Sequence, residues 1–327
     1  MLSALMKVVG IGIAILWSAI AWCGTASAAE TWPQRNVRFI LPLPPGSGVD
    51  LGARLFAERL SAKWGQPVVV ENRPGGDGIV AVTAFINAQD DHSLLFAPVS
   101  SFTAYPYLHP EDKLPYNPRD LAPIARVSNT VVVIAVPSSR KINSMKELVD
   151  LAKSQPGKLN WNTATGVSDF LFEGFEKSDG VSWTRVPYRD TVQALNDLAD
   201  GRIDVWAGAY AIARAQVQAG KVRLLAVTNH ERAPMLPDLP TVIETGYPTL
   251  HFDGLVGLFG PRNMSDDLRA RIASDIEAVA DKTMADKLAV SGQVLSPGKA
   301  AAFETSIEEQ RATVAKIATQ LGIKPAE

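Results

Sequence analysis

The residues with the clearest chemical potential form a short turn, Gly46-Ser47-Gly48, which Asp50 follows closely. Glycine adopts backbone conformations that larger residues avoid, and it leaves no Cβ to block a ligand. A helix that begins here, with Asp50 as N-cap, presents unpaired N–H groups and a partial positive charge, which favour a carboxylate or phosphate. The turn therefore predicts an anion site made of main-chain donors. A tight connection without a ligand is the alternative.

This turn departs from the established nucleotide-binding fingerprints. The pattern G-x-G-x-x-G needs glycine at positions 46, 48 and 51, but Leu51 occupies the last place and Gly52 comes one residue late. Glu71 does lie near the position of a ribose-binding acid. No Gly-Lys-Ser/Thr follows, so a Walker loop is excluded. The sequence gives a nucleotide ligand only weak support.

A second turn of small and hydroxylated residues spans positions 163–168. It follows a predicted strand over 159–162 and leads into a predicted helix that runs through Phe175. Because its order of strand, turn and helix repeats that of the first turn, the two turns could face each other across a cleft. Substituting Gly46 or Gly48 by a bulky residue is then expected to abolish binding and spare the fold.

The second turn also raises a hydrolase alternative. Gly166-Val167-Ser168-Asp169-Phe170 approaches the G-x-S-x-G nucleophile elbow, but Phe170 replaces the second glycine. A catalytic triad would also need a histidine, for which His230 and His251 are available. The four histidines lack the spacing of metal ligands, so no metal site is predicted.

The elements that must position these turns alternate between strand and helix. Strands over 37–43, 67–71 and 93–97 are separated by helices, which is typical of a doubly wound sheet. In such sheets the ligand crevice lies beyond the carboxyl ends of the strands. Those ends hold residues 45–48, 72–78 and 98–101, and Ser100 is therefore a further pocket candidate.

A second block of the same kind follows a Pro-rich, extended excursion over 105–123. Its strands are predicted at 131–136, 159–162, 183–186, 203–207 and 223–228, with another strand at 252–259. Tyr188, just beyond the strand at 183–186, is the second strand-end candidate. Two helices, over 265–284 and 299–321, complete the chain.

Length, charge and the N-terminus restrict the function classes. The 327 residues suffice for two domains, and a net charge of −2 gives no sign of a nucleic-acid surface. Lys7, an apolar run over 8–22 and Ala26-Ser27-Ala28 predict a secretory signal over 1–28. A lipoprotein anchor at Cys23 is the alternative, but Trp22 fits that signal poorly. Cleavage near Ala28 predicts an exported, periplasmic protein without an anchor.

Seven segments together carry a family resemblance: PGSGVD at 45–50, GQPVVVENRPG at 65–75, LPYNP at 114–118, PGKLN at 156–160, VPY at 186–188, GKVRLLAVT at 220–228 and LPDLPT at 236–241. In this order the chain resembles the Bug-type solute-binding proteins of tripartite tricarboxylate transporters, from about residue 32 to residue 323. The resemblance implies an α/β, type II periplasmic binding protein fold. In that fold two doubly wound α/β lobes are joined by two crossing segments, with a ligand cleft between them.

The resemblance also implies lobe boundaries and a function. Lobe 1 is expected to combine residues 29–127 with 250–327, lobe 2 to span 128–249, and the crossings to lie near 125–131 and 242–253. The protein is expected to be a monomer that captures a small organic carboxylate, with di- and aromatic carboxylates as candidates, and delivers it to membrane transporter subunits. No catalysis and no cofactor are implied. A sensor that reports to a membrane kinase is a further alternative.

By position, the resemblance places ligand contacts on both predicted turns. The second turn has less glycine than the family pattern. In addition, Trp206-Ala207-Gly208 offers no acidic side chain to bind a ligand amine, and this absence favours a plain carboxylate over an amino acid. Trp161, Phe102 and Trp206 either line the pocket or pack in a core. The candidate ligand-binding residues are Gly46, Ser47, Gly48, Asp50, Ser100, Thr163, Ala164, Thr165, Gly166, Val167, Ser168 and Tyr188.

Overall fold

The computed structural model describes residues 32–109, 114–117, 120–164, 166–188 and 190–326. Residues 35–327 form one compact unit; of the unit before it, only residues 32–34 are described. The predicted signal peptide, residues 1–28, and the candidate Thr165 lie outside the described residues. Within the described ranges, no helix combines the length and the apolar character needed to cross a bilayer.

Eleven strands and eleven α-helices are present in the described residues. The strands are β1 Val37–Leu41, β2 Val68–Asn72, β3 Ser93–Pro98, β4 Leu121–Thr130, β5 Val132–Pro137, β6 Asn160–Thr163, β7 Thr184–Arg185, β8 Val205–Ala209, β9 Val222–Val227, β10 Gly254–Pro261 and β11 Gln293–Lys299. The helices are α1 Gly48–Trp64, α2 Ile79–Ala88, α3 Ser100–Thr103, α4 Tyr105–Leu108, α5 Met145–Ser154, α6 Gly166–Asp179, α7 Thr191–Ala199, α8 Tyr210–Gln218, α9 Asp266–Val279, α10 Lys282–Val290 and α11 Ala300–Leu321.

The strands form two sheets. The first has the order β11-β4-β10-β3-β1-β2, with β1 parallel to both β2 and β3 and with β10 antiparallel to β3 and β4. The second has the order β7-β6-β8-β5-β9, with β6 parallel to β7 and β8. Because β1, β2 and β3 run in the same direction, the segments that follow them meet at one edge of the first sheet.

Each sheet has its own apolar core. Around the first sheet, Phe102 packs edge-on against Phe259, whose ring centroid lies 5.0 Å away. Around the second sheet, Trp161 packs against Phe172 at 5.2 Å. Trp206 is fully buried on the other face of the second sheet. The sequence left open whether three aromatic residues line the pocket or pack in a core. All three are core residues: Phe102, Trp161 and Trp206.

Two of the predicted elements differ in the structure. The single helix predicted over 265–284 is wrong, because α9 ends at Val279 and Asp281 caps a new helix by accepting the Met284 N–H at 2.8 Å. The excursion predicted over 105–123 contains the helical turn α4 and the start of β4. Strand β4 pairs antiparallel with β10 and β11, partners that are distant in sequence, so its local pattern did not reveal it.

Two chain segments connect the sheets. The first passes directly from β4 to β5 through Val131. The second runs from Thr228 to Asp253, and it is tied to the first where the Asn229 side-chain amide donates to the Asn129 side-chain oxygen at 3.0 Å. The Thr228 N–H also donates to the Val132 carbonyl at 2.9 Å. The two connections therefore lie side by side, as a hinge between two lobes requires.

Candidate functional site: a cleft between the two lobes

A cavity of about 430 Å³ lies where the edge of the first sheet faces the end of β6. This volume is within the range of small-molecule pockets. Its lining residues come from the segments after β1, β2 and β3, from α4, and from the start of α6: Pro42, Leu43, Pro44, Pro74, Gly75, Gly76, Asp77, Gly78, Pro98, Ser100, Ser101, Leu108, Ala164, Gly166 and Val167.

The first turn is fixed by reciprocal hydrogen bonds. Ser47, rather than Asp50, is the N-cap of α1, because its hydroxyl accepts the Asp50 N–H at 3.2 Å. The prediction of Asp50 as N-cap is therefore wrong. Its carboxylate instead accepts the Gly46 N–H at 2.8 Å and the Asn72 amide at 2.9 Å. This arrangement resembles a capping box, with the acid in the third helical position.

Asp50 is buried and fully engaged with its neighbours. Besides Gly46 and Asn72, it pairs with the Arg54 guanidinium at 3.0 Å. Burial by itself raises the pKa of Asp50, but the hydrogen bonds from Arg54, Gly46 and Asn72 outweigh it, so the pKa lies below its usual range. Asp50 therefore stays ionised and holds the turn in shape.

The two glycines of the first turn are required for different structural reasons. Gly46 has φ +83, a left-handed conformation that favours glycine. A Cβ on Gly48 would lie 2.6 Å from the Ser291 carbonyl oxygen, in the loop before β11. Neither Gly46, Ser47 nor Gly48 belongs to the lining of the cavity, and Ser100 is the candidate from this lobe that does.

The second turn contributes three candidates to the cavity wall, namely Ala164, Gly166 and Val167. Thr163 and Ser168 are both buried beside it, outside the lining, and the Thr163 hydroxyl donates to Asp169. Helix α6 begins at Gly166, so its first turn borders the cavity. The structure thus brings the second turn opposite the segments that follow β1, β2 and β3.

Asp169 is a partly buried acidic residue with a shifted pKa on this side of the cleft. Burial is the largest influence and raises the pKa of Asp169, whereas hydrogen bonds from Thr163 and Arg185 act in the opposite direction. The negative charge of Asp77 raises the pKa of Asp169 further. Since Asp77 belongs to the first lobe, the two carboxylates interact across the cleft.

Tyr188 lies outside the cavity lining. Its hydroxyl donates to the Asp197 carboxylate at 2.6 Å, and its ring packs against the second-lobe core. Burial and the hydrogen bond to Asp197 raise the pKa of Tyr188 to about 12. In this structure Tyr188 therefore fastens the segment after β7 to α7.

The candidate set omitted the turn after β2. Gly75, Gly76, Asp77 and Gly78 all line the cavity, and α2 begins directly after them. The strand-end argument indicated this segment, but no residue in it was selected. Gly78 has φ +102, and a Cβ there would lie 2.8 Å from the Ser101 Cβ. Only glycine therefore fits between the turn and α3.

Among the described lining residues, Asp77 is the one that carries charge, and neither Lys nor Arg is present. Two helices of substantial length, α2 and α6, begin at the cavity. The N-terminal end of a helix carries a partial positive charge and N–H groups without partners inside the helix, which favour an anion. The cleft can therefore hold a carboxylate through main-chain donors and the Ser100 and Ser101 hydroxyls.

Comparison with known proteins agrees with this geometry. Residues 52–322 match the family described as tripartite tricarboxylate transporter family receptor. The chain belongs to this family. It is 27% identical over 286 residues to Protein BugT of Bordetella pertussis, a match that covers 86% of this chain and 88% of BugT. The Bug-type resemblance found in the sequence is thereby confirmed.

Two solved structures share the fold. The R. palustris protein Rpa4515 with adipate is 26% identical, with a TM-score of 0.76 over 89% of this chain and 99% of that one. MatC from Rhodopseudomonas palustris with bound malate is 25% identical, with a TM-score of 0.72 over 88% and 99%. The predicted two-lobe, type II fold is confirmed.

Family membership also decides between binding and catalysis. The family consists of periplasmic solute-binding receptors, so the chain is a binding protein and the hydrolase alternative is excluded. The described residues contain no group of His, Cys, Asp and Glu that could hold a metal ion. His230 and His251 instead lie together beside Asp253, with ring centroids 5.4 Å apart.

Proposed function

We propose that this protein captures a small organic carboxylate in the interlobe cleft and delivers it to the membrane subunits of a tripartite tricarboxylate transporter. The observation that carries the proposal is the cavity itself, where two helix starts from opposite lobes meet without a basic side chain among the described lining residues. Adipate and malate in the structures of two relatives support an organic acid as the ligand.

The proposed lobes are residues 29–127 with 250–327, and residues 128–249. Supporting this division, the first sheet takes its strands from 37–130 and 254–299, and the second from 132–227. The proposed boundary at residue 127 falls within β4, and Val131 is the point where the chain passes between sheets. The mature protein is proposed to be a periplasmic monomer after removal of residues 1–28.

Within the proposed site, the wall residues Ser100, Ala164, Gly166 and Val167 contact the ligand directly. The first turn remains part of the proposal because the N–H groups of Gly48 and Val49 have no hydrogen-bond partner in the described part of the chain. Asp50 then acts by holding this turn, as its bond to Gly46 indicates. Thr163 and Ser168 are buried next to the cavity wall, and we propose that they hold the second turn in place.

Capture requires the ligand to bind the closed arrangement more tightly than the open one. A carboxylate that bridges the segment after β3 and the start of α6 contacts both lobes at once, which gives it that difference in affinity. Release then needs only the reverse hinge movement, and the ligand leaves chemically unchanged.

A panel of organic acids tests the proposed function. Because a ligand that binds only the native state stabilises it, an acid present at tenfold its Kd is expected to add about 1.4 kcal/mol to the free energy of unfolding. In a chain of this size that corresponds to a rise in Tm of roughly 2–4 °C. Thermal unfolding with mono-, di- and aromatic carboxylates measures it, with matching amines as controls. No shift with any acid would contradict the proposal.

Ser100→Ala tests the cavity wall. Ser100 lines the cleft, so the loss of its hydroxyl is expected to weaken carboxylate affinity about fivefold, the equivalent of ~1 kcal/mol for one hydrogen bond. The Tm without ligand should stay within about 1 °C of wild type. Ser139→Ala, at an exposed position of the second lobe, is the matched control and should bind as wild type does. Unchanged affinity in Ser100→Ala would remove this residue from the site.

A further inference from the structure

The turn between β2 and α2 places an acidic side chain in the wall of the proposed carboxylate cleft. Asp77 occupies the middle of the Gly76–Gly78 segment and has φ +50 and ψ +29. This left-handed conformation is uncommon outside glycine, although Asp and Asn tolerate it better than other residues. Asp77 lines the cavity, whereas the glycines on either side contribute only backbone.

In the described residues the carboxylate of Asp77 contacts a histidine ring and forms no ion pair with Lys or Arg. One carboxylate oxygen lies 2.7 Å from Nε2 of His109, whose ring stacks on Tyr105 with centroids 4.5 Å apart. Across the cleft stands Asp169, a second carboxylate. Arg185 is paired with Asp169 and lies 3.9 Å from Glu173.

We propose that Asp77 is a specificity-determining residue, which makes the cleft select carboxylates whose remote end carries a hydrogen-bond donor or a positive charge over dicarboxylates of the same length. The inference rests on the proposed carboxylate capture. One end of the ligand binds at the helix starts, where main-chain donors favour an anion. A ligand that spans the cavity brings its other end towards Asp77.

Closure makes this selection stronger. Asp77 is about half exposed, so water screens its carboxylate while the cleft is open. When the lobes close on a ligand, water leaves and charges interact more strongly. A second ligand carboxylate then meets the carboxylate of Asp77, and the described lining residues include no Lys or Arg to compensate the two charges. A hydroxyl or ammonium group instead donates to Asp77 and replaces the lost water.

Matched ligands and variants test the inference on the mature, full-length protein. Isothermal titration measures the Kd of dicarboxylates, ω-hydroxy acids, ω-amino acids and simple monocarboxylates with four, six and eight carbons. Asp77→Asn keeps the shape and tolerates the left-handed backbone, and Asp77→Gly removes the side chain where glycine is favoured. Asp150→Asn, an exposed second-lobe substitution outside the cleft, is the control.

The expected result is that wild type binds the ω-hydroxy or ω-amino acid at least about tenfold more tightly than the dicarboxylate of equal length, ~1.4 kcal/mol. In Asp77→Asn and Asp77→Gly this ratio should fall towards one, because dicarboxylate affinity rises. Asp150→Asn should keep the wild-type ratio. If wild type prefers dicarboxylates, or if both Asp77 variants keep the wild-type affinity ratio, Asp77 does not determine specificity, and the proposed carboxylate capture still stands. If no acid binds wild type, the proposed capture function fails, and this inference with it.

Discussion

Gly48→Ala is expected to lower the free energy of unfolding by about 3 kcal/mol, because the new Cβ would lie inside contact distance of backbone. The Cβ position is 2.6 Å from the Ser291 carbonyl oxygen and 3.1 Å from the Gln293 side-chain amide. The amide can move aside, but the carbonyl belongs to the loop between α10 and β11. The start of α1 or this loop must therefore shift.

Gly46→Ala is the matched control for this steric effect. No atom lies within 4 Å of a Cβ at Gly46, but its φ of +83 strains any residue with a side chain. A cost of about 1 kcal/mol is expected from the backbone conformation alone. The sequence predicted that a bulky residue at either glycine spares the fold. At Gly46 we still expect a folded protein, with a small loss of stability. At Gly48 the prediction is replaced by a large loss of stability.

Urea unfolding of wild type and both variants measures the difference, with carboxylate titration of the folded protein alongside. The structure requires Gly48→Ala to be the less stable variant, with a lower midpoint at unchanged m-value. If Gly48→Ala matched wild type in stability while losing ligand affinity, the contact with Ser291 would be misplaced, and the first turn would act purely through the ligand.

The sequence predicted the parts of the fold that local pattern determines. The apolar run of β1 and the Pro-Gly turn before α1 have their cause within a few residues, and both were located from the sequence. The break between α9 and α10 was not, since it depends on how Asp281 caps a second helix. Strand β11, which contains Pro297 and Gly298, exists because β4 lies beside it.

The candidate site was predictable in outline only. Turns that follow parallel strands meet at one edge of a sheet, so Ser100 was placed at the cleft from chain order, whereas the family resemblance implied the place of the second turn. Side-chain roles were harder to predict, because Ser47 and Asp50 are both good capping residues. The bond from the Asp50 N–H to the Ser47 hydroxyl makes Ser47 the N-cap, and the bonds from Gly46 and Asn72 assign Asp50 to holding the turn. The same argument placed the 72–78 turn at the crevice, but only the structure shows that Asp77 is the residue of this turn that brings a charged side chain to the lining.

A carboxylate at the hinge gives the second large effect. Asp253 accepts hydrogen bonds from the Asn129 side chain at 2.8 Å and from the His230 N–H at 3.2 Å, and His251 Nε2 lies 3.5 Å away. His230, His251 and Asp253 belong to the second connection, and Asn129 lies at the end of β4, directly before the first. Asp253 therefore holds the two connections together beside Val131, where the chain passes between the sheets.

Burial by itself raises the pKa of Asp253, but the interactions with His251, Asn129 and the His230 N–H outweigh it and lower the pKa to about 2, from 3.8 in an unfolded chain. That difference corresponds to roughly 2 kcal/mol of stability. Because the folded pKa is the lower one, the contribution is complete above about pH 5. It is lost as the pH falls through 3.8 towards about 2.

Asp253→Asn is accordingly expected to lower the free energy of unfolding by about 2 kcal/mol at pH 7, and the gap to wild type should narrow steadily below pH 5. Urea unfolding at intervals from pH 7 to pH 3 measures this difference in the free energy of unfolding. The contributions of the carboxylates that both proteins share cancel in the difference. Asp150→Asn, whose exposed carboxylate pairs only with Lys146 in the described structure, should differ from wild type by less than about 0.5 kcal/mol. A gap at Asp253 that stayed constant with pH would mean that its carboxylate charge does not stabilise the hinge. A narrowing gap would instead show that the ionised carboxylate of Asp253 stabilises the packing of the two connections against each other.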